Sequence, residues 1–165
     1  KKVLYAANVA EEDLPGYENQ YVNQVKEYAE KEGSQLVPIC SKIEAEIVEL
    51  DEEERLEMLQ SLGLEESGLN RLIKASFKLL GLITFLTTGP EETRAWTIPQ
   101  GCSAPQAAGK IHTDIQKGFI RAEVIKYPDM IKSQSRTKAK ELGLVSTEGK
   151  DYIVCDGDVI LFLHN

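Results

Sequence analysis

The chain has 165 residues, 42% of them hydrophobic, and carries 27 acidic against 19 basic side chains for a formal net charge of −8. That composition supports a packed core rather than a disordered polymer; no apolar run approaches the roughly 20 residues of a membrane helix, and the opening residues lack a signal-peptide layout. Three widely spaced cysteines (Cys40, Cys102 and Cys155) match neither a disulfide framework nor a zinc motif, and reduced thiols in a cytoplasmic protein are the expectation.

The first element is a short apolar run at residues 3–7, suited to a buried strand of a parallel sheet. A turn-rich stretch follows, through Leu14, Pro15 and Gly16. From about Asn19 the spacing becomes helical, with Tyr21, Val22, Val25, Tyr28 and Ala29 on one face and Gly33 as the stop. Residues 36–40 are a second apolar run, which completes a βαβ unit. Residues 44–60 are acidic and helical in character, with Ile43, Ile47, Val48 and Leu50 in one stripe. Asp51 and Glu54 have the spacing of a capping box that opens a following helix, which carries Leu56, Met58 and Leu59. A further helix is predicted over 67–80, with Leu69, Leu72, Ile73, Phe77 and Leu80 at helical spacing.

After Gly81 the texture changes. Residues 82–87 and 93–98 read as a hairpin around a Gly89-Pro90 turn. A helix is expected from Ala104 to about His112, then a strand over 119–125, a basic helix over 132–142, and two strands at 152–155 and 159–163 around Asp156-Gly157. Hairpin, helix, strand and a closing strand pair suggest a small β-grasp domain, with the boundary near residues 80–82. The fold class is thus α/β for residues 1–80 and α+β for residues 81–165. Charge follows the same division. Residues 1–80 hold 9 basic and 17 acidic side chains, a net of −8, while residues 81–165 hold 10 of each.

Phosphate-binding loops, nucleophile elbows, H-E-x-x-H and paired C-x-x-C motifs are all lacking, so any contact with a nucleotide would be at its base. Asn8-Val9-Ala10-Glu11 ends the first strand, where P-loop GTPases write Asn-Lys-x-Asp. In that motif the aspartate accepts from guanine N1–H and the N2 amino group. A longer glutamate at Glu11 and apolar Val9 argue against guanine, whereas the Asn8 amide can serve adenine N6 and N7. An asparagine that closes a strand can equally be a turn former. His112-Thr113-Asp114 reads as a helix C-terminal turn rather than a metal or acid–base site. Trp96 reads as core, with Arg94 and the strand of Arg121 able to make a semi-exposed surface beside it. Lys126, Lys132, Arg136, Lys138 and Lys140 face only Asp129 between positions 126 and 140. They are either a solvated face or a surface that attracts RNA phosphates.

Taken together, the opening KKVLYAANVAEED, the stretch VPICSKIEAEIVELDEEE, and the segments RAWTI, AAGKIHTD and GFIRAEV resemble the C-terminal part of the YchF/Obg-like ATPase family. The likeness covers essentially the whole chain. It implies the C-terminal βαβ portion of a P-loop NTPase domain with acidic helices at 1–80, followed by a ubiquitin-like TGS domain at 81–165. Asn8, Val9 and Glu11 match the family's base-reading motif. Cys40-Ser41-Lys42 matches the loop written Ser-Ala-Lys in the wider GTPase class, which makes Ser41, through its backbone N–H, and Lys42 nucleotide-site residues. The resemblance further implies ATP in preference to GTP, a phosphate loop, Mg2+ site and coiled-coil insertion preceding Lys1, and contact with ribosomes or RNA. On that basis the segment alone is expected to be inactive as an ATPase. The other reading of the chain is a non-enzymatic β-grasp adaptor with an acidic helical arm, docking on protein or RNA.

Overall fold

In the computed structural model, which describes residues 2–89 and 92–165, Leu4–Asn8 forms strand β1 and Gln35–Ile39 forms β2. The two pair in parallel with Asn8 opposite Ile39. They are joined through helix α1 (Gln20–Glu32), whose start is fixed by Asn19: its side chain accepts from the backbone N–H groups of Tyr21 and Val22. Gly33, at φ 69°, ends the helix in the left-handed conformation that glycine adopts without strain. The chain forms two compact units, Lys1–Leu80 and Gly81–Asn165.

The first unit continues with α2 (Ser41–Glu49), α3 (Glu52–Ser61) and α4 (Gly68–Leu80). The Asp51–Glu54 capping box forms as the spacing predicts, with Glu54 N donating to Asp51 at 2.9 Å. The predicted apolar stripes are only partly inward. Val22, Ala29, Ile43, Ile47 and Leu59 are buried, whereas Tyr21, Tyr28, Val48, Leu56, Leu69, Ile73 and Leu80 are exposed. Helical spacing identifies a face; which part of it meets the core depends on how far the neighbouring elements reach. The free edge of β2 is blunted. Ile39 O accepts from Val9 N on the β1 side, so Pro38 faces outward, where it offers no N–H and its carbonyl accepts from Arg71 at 2.7 Å.

In the second unit, β3 (Leu82–Thr88) and β4 (Thr93–Pro99) pair antiparallel from Leu82↔Pro99 to Thr88↔Thr93. Of the turn expected between them, Pro90 lies outside the described residues. Helices α5 (Ala104–Ile111) and α6 (Thr113–Lys117) follow, then β5 (Phe119–Lys126), α7 (Tyr127–Ser133), α8 (Arg136–Glu141), β6 (Ser146–Glu148) and β7 (Asp158–His164). The sheet order is β4-β3-β7-β5-β6, with β3 and β7 parallel at Leu86↔Val159 and the other pairs antiparallel. Phe85, Ile98, Ala107, Ala122, Ile160 and Phe162 build the core on one sheet face. Ile125, Val159 and Ala139 of α8 build a smaller cluster on the other.

Three expectations are corrected here. The single basic helix over 132–142 is two helices, because Gln134 takes φ 61° and Ser135 opens α8, its hydroxyl accepting from Lys138 N at 3.2 Å. Residues 152–155 are not a strand; apart from an isolated Ser103↔Ile153 bridge, the segment is drawn to Asp158, and β5 is flanked by β7 on one side and β6 on the other. His112 ends α5 but also caps α6, its Nδ1 accepting from Asp114 N at 3.2 Å, so Thr113 starts a helix where a closing turn was expected.

Candidate nucleotide-base site and basic segment

Parallel pairing in register brings the C-terminal tips of β1 and β2 side by side, with the loops that leave them as neighbours. The first loop enters a 3-10 turn at Glu11–Asp13, and the second enters α2 directly through Cys40. Cys40 offers no capping side chain, so the first amide of α2 is satisfied from the other strand: Ser41 N donates to Asn8 Oδ1 at 3.0 Å. One residue further on, Lys42 Nζ lies 2.7 Å from Glu11 Oε2. The hydrogen bond and charge of Glu11, with Glu46 and Glu12 contributing less, raise the Lys42 pKa above its ordinary value. Asp13 braces the loop by accepting from Ala10 N at 3.3 Å and from Asn19 Nδ2 at 2.8 Å.

Asn8, Glu11, Ser41 and Lys42 therefore form one exposed polar cluster at the strand tips. Val9 does not present its side chain there. It is 7% exposed and packs in the core with Cys40 and Ile43, and any ligand would meet its backbone alone. A cavity of about 740 Å³ lies elsewhere in the unit, between α1, β2 and α4, with Lys26, Ala29, Leu36, Pro38, Arg71 and Lys78 among its walls. None of the four cluster residues lines it. Among the described residues, no group of three or more His, Cys, Asp or Glu side chains is placed to hold a metal ion.

The five basic residues of the second unit do not share one surface. Lys126 Nζ is held 2.6 Å from Asp158 Oδ1 and 3.1 Å from the Tyr152 hydroxyl, on the core face of the sheet. Its pKa is raised, first by the hydrogen bond to Asp158. Arg136 and Lys140 flank Glu123 on the opposite face; Lys140 Nζ is 3.9 Å from Glu123 Oε1. Both terminal nitrogens of Arg136 are covered without a hydrogen-bond partner among the described residues, and burial lowers its pKa. Lys132 and Lys138 are exposed. Trp96 stacks near Phe85, donates from Nε1 to Thr87 Oγ1 at 2.9 Å and lies under Arg94, whose guanidinium carbon is 4.4 Å from the ring centre. Arg121 pairs with Leu163 on the other sheet face, so it does not join that surface.

Sequence reasoning missed the Glu11–Lys42 pair, the Asp158 network and the Glu44 cap described below. Each depends on at least one partner more than a helical turn away in sequence; the strand-tip motif was the one available hint, for Glu11.

The YchF-GTPase_C family, described as "Protein of unknown function (DUF933)", matches residues 82–165. Over its whole length the chain is 58% identical to the ribosome-binding ATPase YchF of Escherichia coli O157:H7 and 48% identical to that of Bacillus subtilis (strain 168), and it spans 45% of each. Among solved structures it is similar to the YchF GTPase of Schizosaccharomyces pombe, with a TM-score of 0.83 and 33% identity over 99% of this chain and 43% of that one. A GTP binding protein from Pyrococcus horikoshii OT3 shares the fold, with a TM-score of 0.65 over 98% of this chain and 45% of that one, at 21% identity. With its second unit matched by the family and its full length by these relatives, the chain belongs to the YchF family.

Proposed function

We propose that the chain is part of a ribosome-associated P-loop ATPase, in which residues 1–80 carry the adenine-reading edge of the nucleotide domain and residues 81–165 are a TGS-type β-grasp domain. The observation that carries the nucleotide reading is the Asn8–Ser41 hydrogen bond, which places the asparagine amide and the α2 N-terminus on one edge at the tips of two parallel strands. Ligands of open α/β sheets bind beyond the carboxyl ends of their strands. The Asn8 amide nitrogen, without a protein partner among the described residues, is free to donate to adenine N7. Relatives that this chain matches end to end are named ribosome-binding ATPases, which supports ATP as substrate, the ribosome as partner and the cytoplasm as location. The β-grasp reading rests on the order β4-β3-β7-β5-β6, in which the first hairpin pairs in parallel with the last strand and α5 packs on the sheet.

In this reading, phosphate binding and hydrolysis belong to the part of the relatives' length that the chain does not span. Among the described residues no cluster is placed to hold Mg2+, and none of them is assigned to it. In a polypeptide of the relatives' full length, Asn8→Ala should weaken ATP binding by about tenfold, the loss of one or two hydrogen bonds. An unchanged Kd would remove the base-reading assignment.

The adaptor reading is favoured by one observation: Lys132 and Lys138 stay exposed on α7 and α8, while Lys126, although exposed, is ion-paired to buried Asp158 and Arg136 is half-buried. The RNA-facing set therefore narrows to Lys132 and Lys138, with Lys140 beside them. Charge reversal of Lys132 and Lys138 should reduce co-sedimentation with ribosomes and flatten its salt dependence. Binding unaltered at every salt concentration would remove this surface from the reading.

A further inference from the structure

The cavity between α1, β2 and α4 carries a charge opposite to that of its surroundings. Residues 1–80 hold 17 acidic and 9 basic side chains, yet four basic ones line this cavity against two acidic ones, Glu18 and Glu30. Arg71, Lys74 and Lys78 recur at helical spacing on one side of α4, and Lys26 comes from α1. Gathered cations repel one another, so the arrangement favours an anion among them. Part of the set is engaged within the chain. Lys74 Nζ lies 2.6 Å from Glu66 Oε2. Arg71 donates to Pro38 O at 2.7 Å, and its guanidinium carbon sits 4.2 Å from the centre of the Tyr17 ring. Lys26 and Lys78 make no ion pair among the described residues, and Arg71 Nε has no hydrogen-bond partner there.

The remaining walls suit an apolar body. Ala29 and Ala75 line the cavity from the two helices, where larger side chains would fill it, and Leu36 lines it from β2. The strand adds one backbone unit. Ile39 turns its carbonyl to β1, so alternation turns the Leu36 N–H and C=O outward, where they have no partner among the described residues. A longer strand cannot add to this edge, because Pro38 offers no N–H and Arg71 occupies its carbonyl, so the ligand is small. The volume of about 740 Å³ agrees, since small-molecule sites span roughly 300–1,000 Å³. We propose that this cavity binds a small organic anion, a carboxylate or phosphate ester on an apolar body. Lys26 and Lys78 hold the charged group, Ala29, Leu36 and Ala75 seat the body, and the Leu36 N–H fixes its direction. None of the strand-tip residues Asn8, Glu11, Ser41 and Lys42 lines the cavity, so the assignment does not rest on the base-site reading.

The test is a fluorescence titration with 8-anilino-1-naphthalenesulfonate, an aromatic body that bears a single anionic group. It uses a polypeptide of the relatives' full length, with ATP in excess so that the probe does not enter the nucleotide site. Binding should saturate, and Lys26→Glu combined with Lys78→Glu should weaken it by about tenfold, because two attractions become repulsions. Both lysines are exposed, so the fold survives their reversal. N-phenyl-1-naphthylamine, the same body without the sulfonate, should bind the reversed variant and the parent alike. Ala75→Phe, which fills the cavity, should abolish binding of the sulfonate probe. Competition by phenyl phosphate and by phenylacetate separates the two ligand sources, the one that displaces the probe naming the class. Three results overturn the assignment: a sulfonate probe that does not bind, one whose affinity is unmoved by the lysine reversal, and one that neither competitor displaces.

Discussion

Asp158 has no exposed surface, yet it is a carboxylate that accepts three hydrogen bonds: from Lys126 Nζ at 2.6 Å, the Tyr152 hydroxyl at 2.7 Å and Cys155 N at 2.9 Å. A buried charge persists only when paired and hydrogen-bonded in this way. Asp158→Ala should lower the stability of the second unit by on the order of 3 kcal/mol, since it leaves Lys126 and Tyr152 without their acceptor. Urea unfolding followed by Trp96 fluorescence measures this, because the chain has a single tryptophan. The network also sets an alkaline limit. The folded pKa values of Lys126 and Tyr152 both lie above their ordinary 10.5 and 10.0; the hydrogen bond to Asp158 leads for Lys126, and burial followed by that same bond leads for Tyr152. The folded state therefore holds protons the unfolded chain would release. Its stabilisation is full below about pH 10 and is lost as pH rises through the folded values. The urea midpoint should be level from about pH 7 to 9.5 and fall above that; a midpoint that rises with pH would contradict the network. At this scale the sequence was misleading. Asp156-Gly157 reads as hairpin punctuation, and Gly157 does turn, at φ 77°, but nothing local announces that the next residue, Asp158, points inward to three donors.

The helices show why some element ends are legible and others are not. Asp51 and Glu54 satisfy each other's backbone within four residues, a signal visible in one window of sequence. Asp51→Ala should lower unit-one stability by about 1 kcal/mol, read by far-UV circular dichroism in urea. The start of α4 is capped from a distance. Glu44 of α2 accepts from Gly68 N at 2.6 Å and from Leu69 N at 3.0 Å, so its negative charge sits against the positive end of the α4 dipole. Glu44→Ala removes both bonds and should cost about 1–2 kcal/mol by the same measurement. The close approach also explains glycine at position 68, where an added Cβ would lie 2.9 Å from Glu44 Oε1 and 3.0 Å from Ile39 Cγ2. Gly68→Ala should therefore destabilise, although alanine is the better helix former by about 1 kcal/mol. Elsewhere the helix content was anticipated, but not its breaks. Gln134 takes a left-handed conformation, and neither glycine nor proline marks it.

At the scale of the molecule, each unit holds its own core. The cluster of Ile83, Phe85, Ile98, Val124, Ile160 and Phe162 is drawn entirely from residues after Gly81. Residues 81–165 expressed alone should accordingly fold, with a cooperative urea transition at Trp96; a non-cooperative transition would show that this core is insufficient by itself. The first unit is organised differently. Among the described residues β1 pairs with β2 alone, and Leu69, Ile73 and Leu80 stand exposed on α4. The chain spans about 45% of its relatives' length.

Local chemistry determined a good deal of this protein by itself. Apolar runs placed most strands, 3.6-residue spacing placed most helices, Asn19, Gly33 and the Asp51–Glu54 box marked helix ends, and Asn-x-x-Glu at a strand tip singled out Asn8 and Glu11. These signals act between residues a few positions apart, where covalent geometry already limits the outcome. The tertiary structure alone decided that Ser41 donates to Asn8 across 33 positions, that Lys42 holds Glu11 across 31, and that Val9 faces the core instead of the site. Such contacts exist only once parallel pairing sets the strand tips side by side. The same holds for charge: five basic residues close in sequence end on different faces, because a strand alternates its side chains and two short helices replace one.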